Sequence, residues 1–196
     1  MKARSWIVGF LMLSTLGLLI LAAGYIVIYM NGHTLLRENL EKLDMAETTV
    51  IYDRNGEEIA KLYTQNRKLA TLDEVPDKLE EAIIATEDRR FAEHSGVDFW
   101  AIGRAIVKDI LARDLVEGGS TITQQLAKNM FLTADKTFFR KATEMSIALA
   151  LENNFEKDKI LEMYLNHIYY GNGAYGVKAA AEVHFGVTDL DDLSLL

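Results

Sequence analysis

Apolar and polar positions divide this chain sharply. From Trp6 to Met30, WIVGFLMLSTLGLLILAAGYIVIYM, no residue is charged. A helical membrane span needs roughly 20 apolar residues at about 1.5 Å each, and this stretch is long enough. Lys2 and Arg4 precede it, so the positive-inside rule assigns residues 1–5 to the cytoplasm and everything after Met30 to the other side. Trp6, Tyr25 and Tyr29 near its ends suit interfacial belts. A cleaved signal peptide is the competing reading, with Ala22, Ala23 and Gly24 as the small-residue cleavage region. The apolar run continues through Ile26, Val27 and Ile28, past the ~7–15-residue core of a signal, which favours an uncleaved anchor over residues 6–30.

Beyond the anchor the pattern changes. Residues 31–48 are polar with scattered leucines (Leu35, Leu36, Leu40, Leu43) and read as a membrane-proximal helix or linker. TTVIYDRNGEEIAKLY then pairs β-branched runs around Asn55-Gly56, a strong hairpin signal. Pro76 opens the helix PDKLEEAIIATEDRRF, at a position where its missing N–H costs nothing. DFWAIGRAIVKDIL carries Phe99, Ile102, Ile106 and Ile110 on one stripe. Thr121 and Gln124 form a capping box for the next helix. TFFRKATEMSIALALE follows, then KDKILEMYLNHIYYG, with Ile160, Tyr164 and Ile168 at i, i+4 spacing and Gly171 as the stop. AYGVKAAAEVHFG ends at Gly186, and the closing DLDDLSLL reads as the first turn of a further helix. Residues 49–196 are thus predicted to form one mainly α domain with a small β-hairpin lead-in.

Composition narrows the chemistry. The formal charge of -8 lacks the basic footprint of a nucleic-acid binder, and the absence of cysteine removes disulfides and thiolate metal sites. Four polar clusters remain. In TEDRRFAEHSG, Glu87 and Asp88 end an apolar helix, where desolvation raises a carboxyl pKa and suits it to acid–base work; the bland reading is an exposed acidic end paired with Arg89 and Arg90. EGGSTITQQLAKN, residues 117–129, offers a flexible Gly118-Gly119 entry and a helix start near Ser120 whose free N–H groups favour phosphates. Gln124, Gln125 and Lys128 add donors. A well-capped helix with a hinge explains the glycines and the serine, but not both glutamines with Lys128 and Asn129. In RKATE, Arg140 and Glu144 are i, i+4 neighbours beside Lys141, which alone is a solvated ion pair worth about 0.2–0.5 kcal/mol. ILEMYLNHIYYGNGAYG places Glu162, Asn166, Tyr169 and Tyr170 before a glycine-rich turn and reads mostly as core and turn structure.

Together the clusters resemble the peptidoglycan glycosyltransferases of family 51. Glu87-Asp88, Phe91, His94 and Gly96 match that family's Glu-Asp-x-x-Phe-x-x-His-x-Gly motif. Gly118 to Asn129 matches its Gly-Gly-Ser-Thr-Ile-Thr-Gln-Gln-Leu-x-Lys-Asn motif, and Arg140, Lys141 and Glu144 its Arg-Lys-x-x-Glu. ILEMYLN with Gly171 and Gly173 matches the fourth, so the resemblance runs from about Thr48 to the end. The hairpin resembles the lead-in of class A penicillin-binding proteins, with monofunctional transglycosylases as the near alternative. His184 and Val187 depart from the family's usual aromatic residue and lysine, outside the core motifs.

The resemblance implies a lysozyme-like helical fold that polymerises lipid II into β-1,4-linked glycan strands with inversion, releasing undecaprenyl diphosphate. It implies Glu87 as general base and Glu144 as a group orienting the basic cluster or a metal near the diphosphate. Substrate contacts are implied at Asp88, Arg104, Ser120, Thr121, Gln124, Gln125, Lys128, Asn129, Arg140 and Lys141. It allows a divalent cation, Mg or Mn, and no organic cofactor. The implied partners are lipid II, the growing glycan strand, the cytoplasmic membrane and cell-division or elongation proteins, with no nucleic acid. A membrane-bound muramidase would use similar carboxylates without needing Lys128, Arg140 and Lys141, and a non-enzymatic cell-wall scaffold would leave Glu87 replaceable.

Overall fold

A computed structural model describes residues 2–43, 48–62, 65–112, 119–132 and 138–193. Helix α1 spans Lys2–Glu38 and runs unbroken through residues 31–38, the first part of the expected linker. No residue of its apolar stretch is buried, as befits a lipid-facing segment, and all but the half-buried Tyr29 are exposed; the mean hydropathy is 2.4. Its last turns lean on α5 (Phe138–Asn154). Gly32 makes that approach available, because a Cβ there would overlap the Ser146 backbone. Ser146 Oγ donates to the Ile28 carbonyl, and Leu36 enters the core at 3% exposure. Of the leucines scattered through the expected linker, Leu36 is in the core and Leu35 and Leu43 pack against it, while Leu40 stays exposed. A short 3-10 turn, Leu40–Leu43, follows.

The hairpin forms as expected from β1 (Thr49–Tyr52) and antiparallel β2 (Glu58–Leu62). Its turn is fastened by Asp53, whose carboxylate accepts from the Asn55 and Glu57 N–H groups (2.7 and 2.8 Å). These bonds to the charged form hold the Asp53 carboxyl below its ordinary value. A second, parallel pair joins β3 (Asn66–Arg67) to β4 (Ala174–Tyr175), which the hydrophobic pattern does not announce.

The core lies where α4 (Ile122–Phe131), α5 and α6 (Lys157–His167) meet. Ile122, Leu126, Ile147, Leu151, Ile160, Leu161 and Leu165 are all fully buried there. Around it stand α2 (Asp77–Glu87), α3 (Phe99–Ala112) and α7 (Val177–Phe185). The domain is mainly helical, with the small β lead-in expected of a lysozyme-like fold. Two boundaries differ from the periodicity. Helix α2 stops at Glu87 rather than reaching Phe91, because Asp88 leaves helical geometry (φ -158°). Helix α6 stops at His167, ahead of Gly171, as the chain extends at Ile168 towards β4. On the α3 stripe Phe99 is 66% exposed and Ile102 half-buried, while Ala105, off the stripe, is buried; the Ile106 and Ile110 side chains lie outside the described ones. Helix α7 does end at Gly186 (φ +70°), and the acidic terminus makes a 3-10 turn at Leu190–Asp192, with residues 194–196 outside the described part.

Asn166 ties the fourth motif to the rest. Its Oδ1 accepts from the Ala70 N–H (2.8 Å) and its Nδ2 donates to the Ala70 carbonyl (2.7 Å), so one side chain satisfies both backbone groups of a buried residue. Glu162 Oε2 similarly accepts from the Leu72 N–H (3.2 Å). Asn166→Ala is expected to destabilise the fold by about 1–3 kcal/mol for each backbone group left unpaired. Denaturant unfolding measures this, and an unchanged midpoint would show that water replaces the amide.

Candidate active site

The end of α2 and the start of α4 meet at Asp88. This carboxylate, 8% exposed, accepts from His94 Nε2 (3.0 and 3.1 Å to its two oxygens) and from the Ile122 N–H (3.0 Å). The Gly96 N–H donates to His94 Nδ1 (3.2 Å), so the network assigns the imidazole hydrogen to Nε2, facing Asp88. Gly96 is required here: its φ is +89°, and a Cβ would come within 2.7 Å of the Ala148 carbonyl oxygen. The turn it permits presents the Gly96 carbonyl to the Thr121 hydroxyl (2.6 Å).

This arrangement corrects part of the expected anion site. The first amide of α4 is taken by Asp88, and the Gln124 N–H is taken by Thr121 Oγ1 (3.1 Å) in the expected capping box. Thr121 is 2% exposed and Gln124 fully buried, its Oε1 accepting from the Thr121 N–H (3.0 Å). Asp88 and Thr121 therefore build the floor of the cleft instead of offering free groups to an anion, and Gln124 lies beneath it, its Nε2 buried with no partner among the described residues. A protein carboxylate already uses the positive end of the helix.

Glu87 does reach solvent. It is exposed on an open cleft of about 540 Å³, with Arg104 and Lys108 of α3 opposite and Ser120 at the rim. The apolar enclosure expected around its carboxyl is absent from this geometry. Its ordering contact is polar: Gln125 Nε2 donates to Glu87 Oε2 (2.9 Å). Neither arginine of the motif pairs with it. Arg90 bonds Glu93 (2.7 Å) and Asp98 (3.3 Å), while Arg89 Nε donates to the Ala85 carbonyl (3.0 Å).

Ser120 connects the second motif to the third. Lys141 Nζ donates to Ser120 Oγ (2.9 Å) and makes a short ion pair with Glu144, which is 3% exposed. The RKATE cluster is thus no solvated i, i+4 pair. The carboxylate is inside, and it fixes an ammonium group beside the cleft. Arg140 is half-buried just before Lys141, and Lys128 and Asn129 are exposed further along α4; none of the three lines the cleft. Gly118, the first glycine of the expected hinge, lies outside the described residues, and Gly119 lines the cleft.

Sequence reasoning missed Asp98, Lys108 and Tyr164. Asp98 caps α3 by accepting from the Ala101 N–H (2.9 Å) and holds Arg90 at the cleft. An aspartate just before a helical run was the available signal. Tyr164 donates to Gln125 Oε1 (3.3 Å) from below, and burial, then the charges of Glu87 and Asp88, push its phenol up.

Similarity to known proteins identifies the family. A family model described as Transglycosylase matches residues 55–196. Penicillin-binding protein 1F of Bacillus subtilis is 51% identical over 172 residues, 88% of this chain and 24% of that protein. Penicillin-binding protein 1A/1B of the same species is 49% identical over 154 residues (79% and 17%), and penicillin-binding protein 1A of Aquifex aeolicus 45% over 161 residues (80% and 22%). The chain spans about a quarter or less of the length of these curated relatives. With the family model covering most of its length, the chain belongs to the transglycosylase family, the peptidoglycan glycosyltransferases.

Proposed function

We propose that this chain is the N-terminal, membrane-anchored glycosyltransferase part of a bifunctional penicillin-binding protein, and that it polymerises lipid II. The carrying observation is an exposed carboxylate, Glu87, on one cleft with Arg104, Lys108 and Ser120, and Lys141 bonded to that serine beside it. In this reading Glu87 takes the proton from the 4-hydroxyl of the acceptor's N-acetylglucosamine. That oxygen attacks the anomeric carbon of the donor's N-acetylmuramic acid, from the face opposite the departing diphosphate. Inversion gives the β-1,4 link. Negative charge grows on the leaving group, so cations fixed before the reaction stabilise the transition state without reorganising. Lys141 is fixed in this sense by Glu144 and Ser120.

A divalent cation on the diphosphate would need carboxylates free to bind it. The residues present do not fit a protein-held ion. Among the described residues no group of three His, Asp or Glu side chains converges, and Glu144 is buried against Lys141. The long apolar α1 fits membrane anchoring, and Lys2 and Arg4 favour a cytoplasmic N-terminus with the cleft on the other side. An anchored cleft meets a lipid-linked donor without drawing its polyprenyl chain into water.

Purified protein incubated with labelled lipid II in detergent distinguishes the readings. Polymer is the expected product. Unchanged lipid II, with cleavage of added glycan strands, would replace this reading with a muramidase; neither reaction would leave a scaffold.

A further inference from the structure

Gln125 has two different neighbours for the two ends of its amide. Nε2 donates to Glu87 Oε2 (2.9 Å), and Oε1 accepts from the Tyr164 hydroxyl (3.3 Å). Reversing the amide would set an oxygen against the carboxylate and the NH₂ group against the phenol. Carbonyl and carboxylate are both acceptors, so that orientation repels. Tyr164 is 3% exposed on α6, inside the core, and its hydroxyl has no other hydrogen bond among the described residues. Burial and the neighbouring carboxylates hold the phenol in its neutral form, which keeps it a donor.

We propose that Tyr164 is a positioning residue for Glu87: its hydroxyl anchors Gln125 Oε1 while the carboxylate, an acceptor only, selects Nε2, so that the amide is held from both ends with Nε2 facing the base. The proposal rests on the reading of Glu87 as the base. The lock has two consequences. It favours the carboxylate form that can accept a proton, because a hydrogen bond to the charged form stabilises that form. It also occupies Oε2 and leaves Oε1 of Glu87 for the acceptor hydroxyl, since no other bond to Glu87 exists among the described residues. Other charges act on Glu87 as well. Asp88, Arg89 and Arg90 lie on its own loop, and Asp98, Arg104 and Lys108 face it across the cleft. Tyr170, also buried, is pushed up by burial first and then by Tyr164 and Glu87. None of these residues bonds the Gln125 amide among the described contacts, so they set a background that a change at Tyr164 leaves in place.

Tyr164→Phe removes only the hydroxyl. The amide is then held at one end only, so its bond to the Glu87 carboxylate weakens. The expected result is a three- to tenfold fall in kcat, about the worth of one neutral hydrogen bond, with little change in KM. The acid limb of the pH–kcat profile should move upward by roughly 0.5–1 unit. A merely structural tyrosine would change the unfolding temperature without moving that limb. Gln125→Met should move the limb in the same direction, and Tyr164→Phe added to it should move it no further. An unmoved limb in a folded Tyr164→Phe protein, or additive shifts in the double variant, would overturn the proposal. If Tyr164→Phe does not fold, an unmoved limb in Gln125→Met overturns it. Glu87→Gln separates the two layers: if that variant keeps its turnover, the base reading fails whatever Tyr164 does. If it is inactive while the limbs stay unmoved, only the positioning role fails.

Discussion

Replacing Glu87 with Gln is expected to lower lipid II polymerisation by about 10²–10⁴-fold, the usual worth of general acid–base catalysis. The substitution keeps the size of the side chain and its hydrogen-bonding capacity, and it removes the proton acceptor. The fold should not change, because Glu87 is exposed at the end of α2 and among the described residues makes one side-chain hydrogen bond, to Gln125. Asp88, one residue on, cannot substitute for it. That carboxylate is buried and already accepts from His94 and the Ile122 N–H. Turnover of labelled lipid II, with lipid II binding and thermal unfolding as controls, measures the effect. Near-normal turnover in a folded Glu87→Gln protein would remove this residue from the chemistry.

The second large effect is expected at the cationic side. Lys128 is exposed on α4 and has no ion pair among the described residues, so Lys128→Met should alter stability by no more than ~0.5 kcal/mol. If Lys128 meets the departing diphosphate, the change removes a charge-assisted contact that strengthens as the bond breaks, and turnover should fall by about 10- to 100-fold. Lys141 behaves differently. Its removal leaves Glu144 buried without its cation, so Lys141→Met should cost both stability and turnover. The stability loss should stay below the ~3–5 kcal/mol of a wholly buried pair, because the Lys141 side chain is 42% exposed and screened by solvent. Lys141→Arg keeps the charge with altered geometry, so it should retain the fold with part of the activity. A phosphoglycolipid inhibitor of the moenomycin type should bind both Met variants more weakly. A folded Lys128→Met protein with undiminished turnover and inhibitor binding would confine the cationic wall to Lys141 and the cleft arginines.

What was legible in the sequence was local. Asn55-Gly56 determines a hairpin within a few residues, and Thr121 with Gln124 closes a capping box within one turn. Gly186 ends α7 by adopting a positive φ that other residues avoid. What was illegible depended on partners distant in the chain. Nothing near EGGSTITQQLAKN says that Asp88 will take its first amide, so a protein-capped helix end looked like an open phosphate site. The spacing of Ile160, Tyr164 and Ile168 reads as a packing stripe, and Tyr164 is indeed buried. Its hydroxyl becomes informative only once α4 brings Gln125 above it. Phe99 and Ile102 have helical periodicity, but periodicity cannot tell which face of α3 finds a core, and Phe99 does not. The Arg140–Glu144 spacing suggested a surface pair; burial of Glu144 and the reach of Lys141 to Ser120 give the cluster its meaning instead.

The most direct test of glycosyl transfer at this cleft is the stoichiometry of the reaction in one vessel. Purified protein is given lipid II labelled in both the sugar and the lipid, and new glycosidic links and released lipid are counted together over time. The account predicts one undecaprenyl diphosphate released for each disaccharide added, every new link β-1,4, and both signals lost together in Glu87→Gln. Release of sugar without a matching lipid diphosphate, new links of retained configuration, or full activity in Glu87→Gln would contradict it.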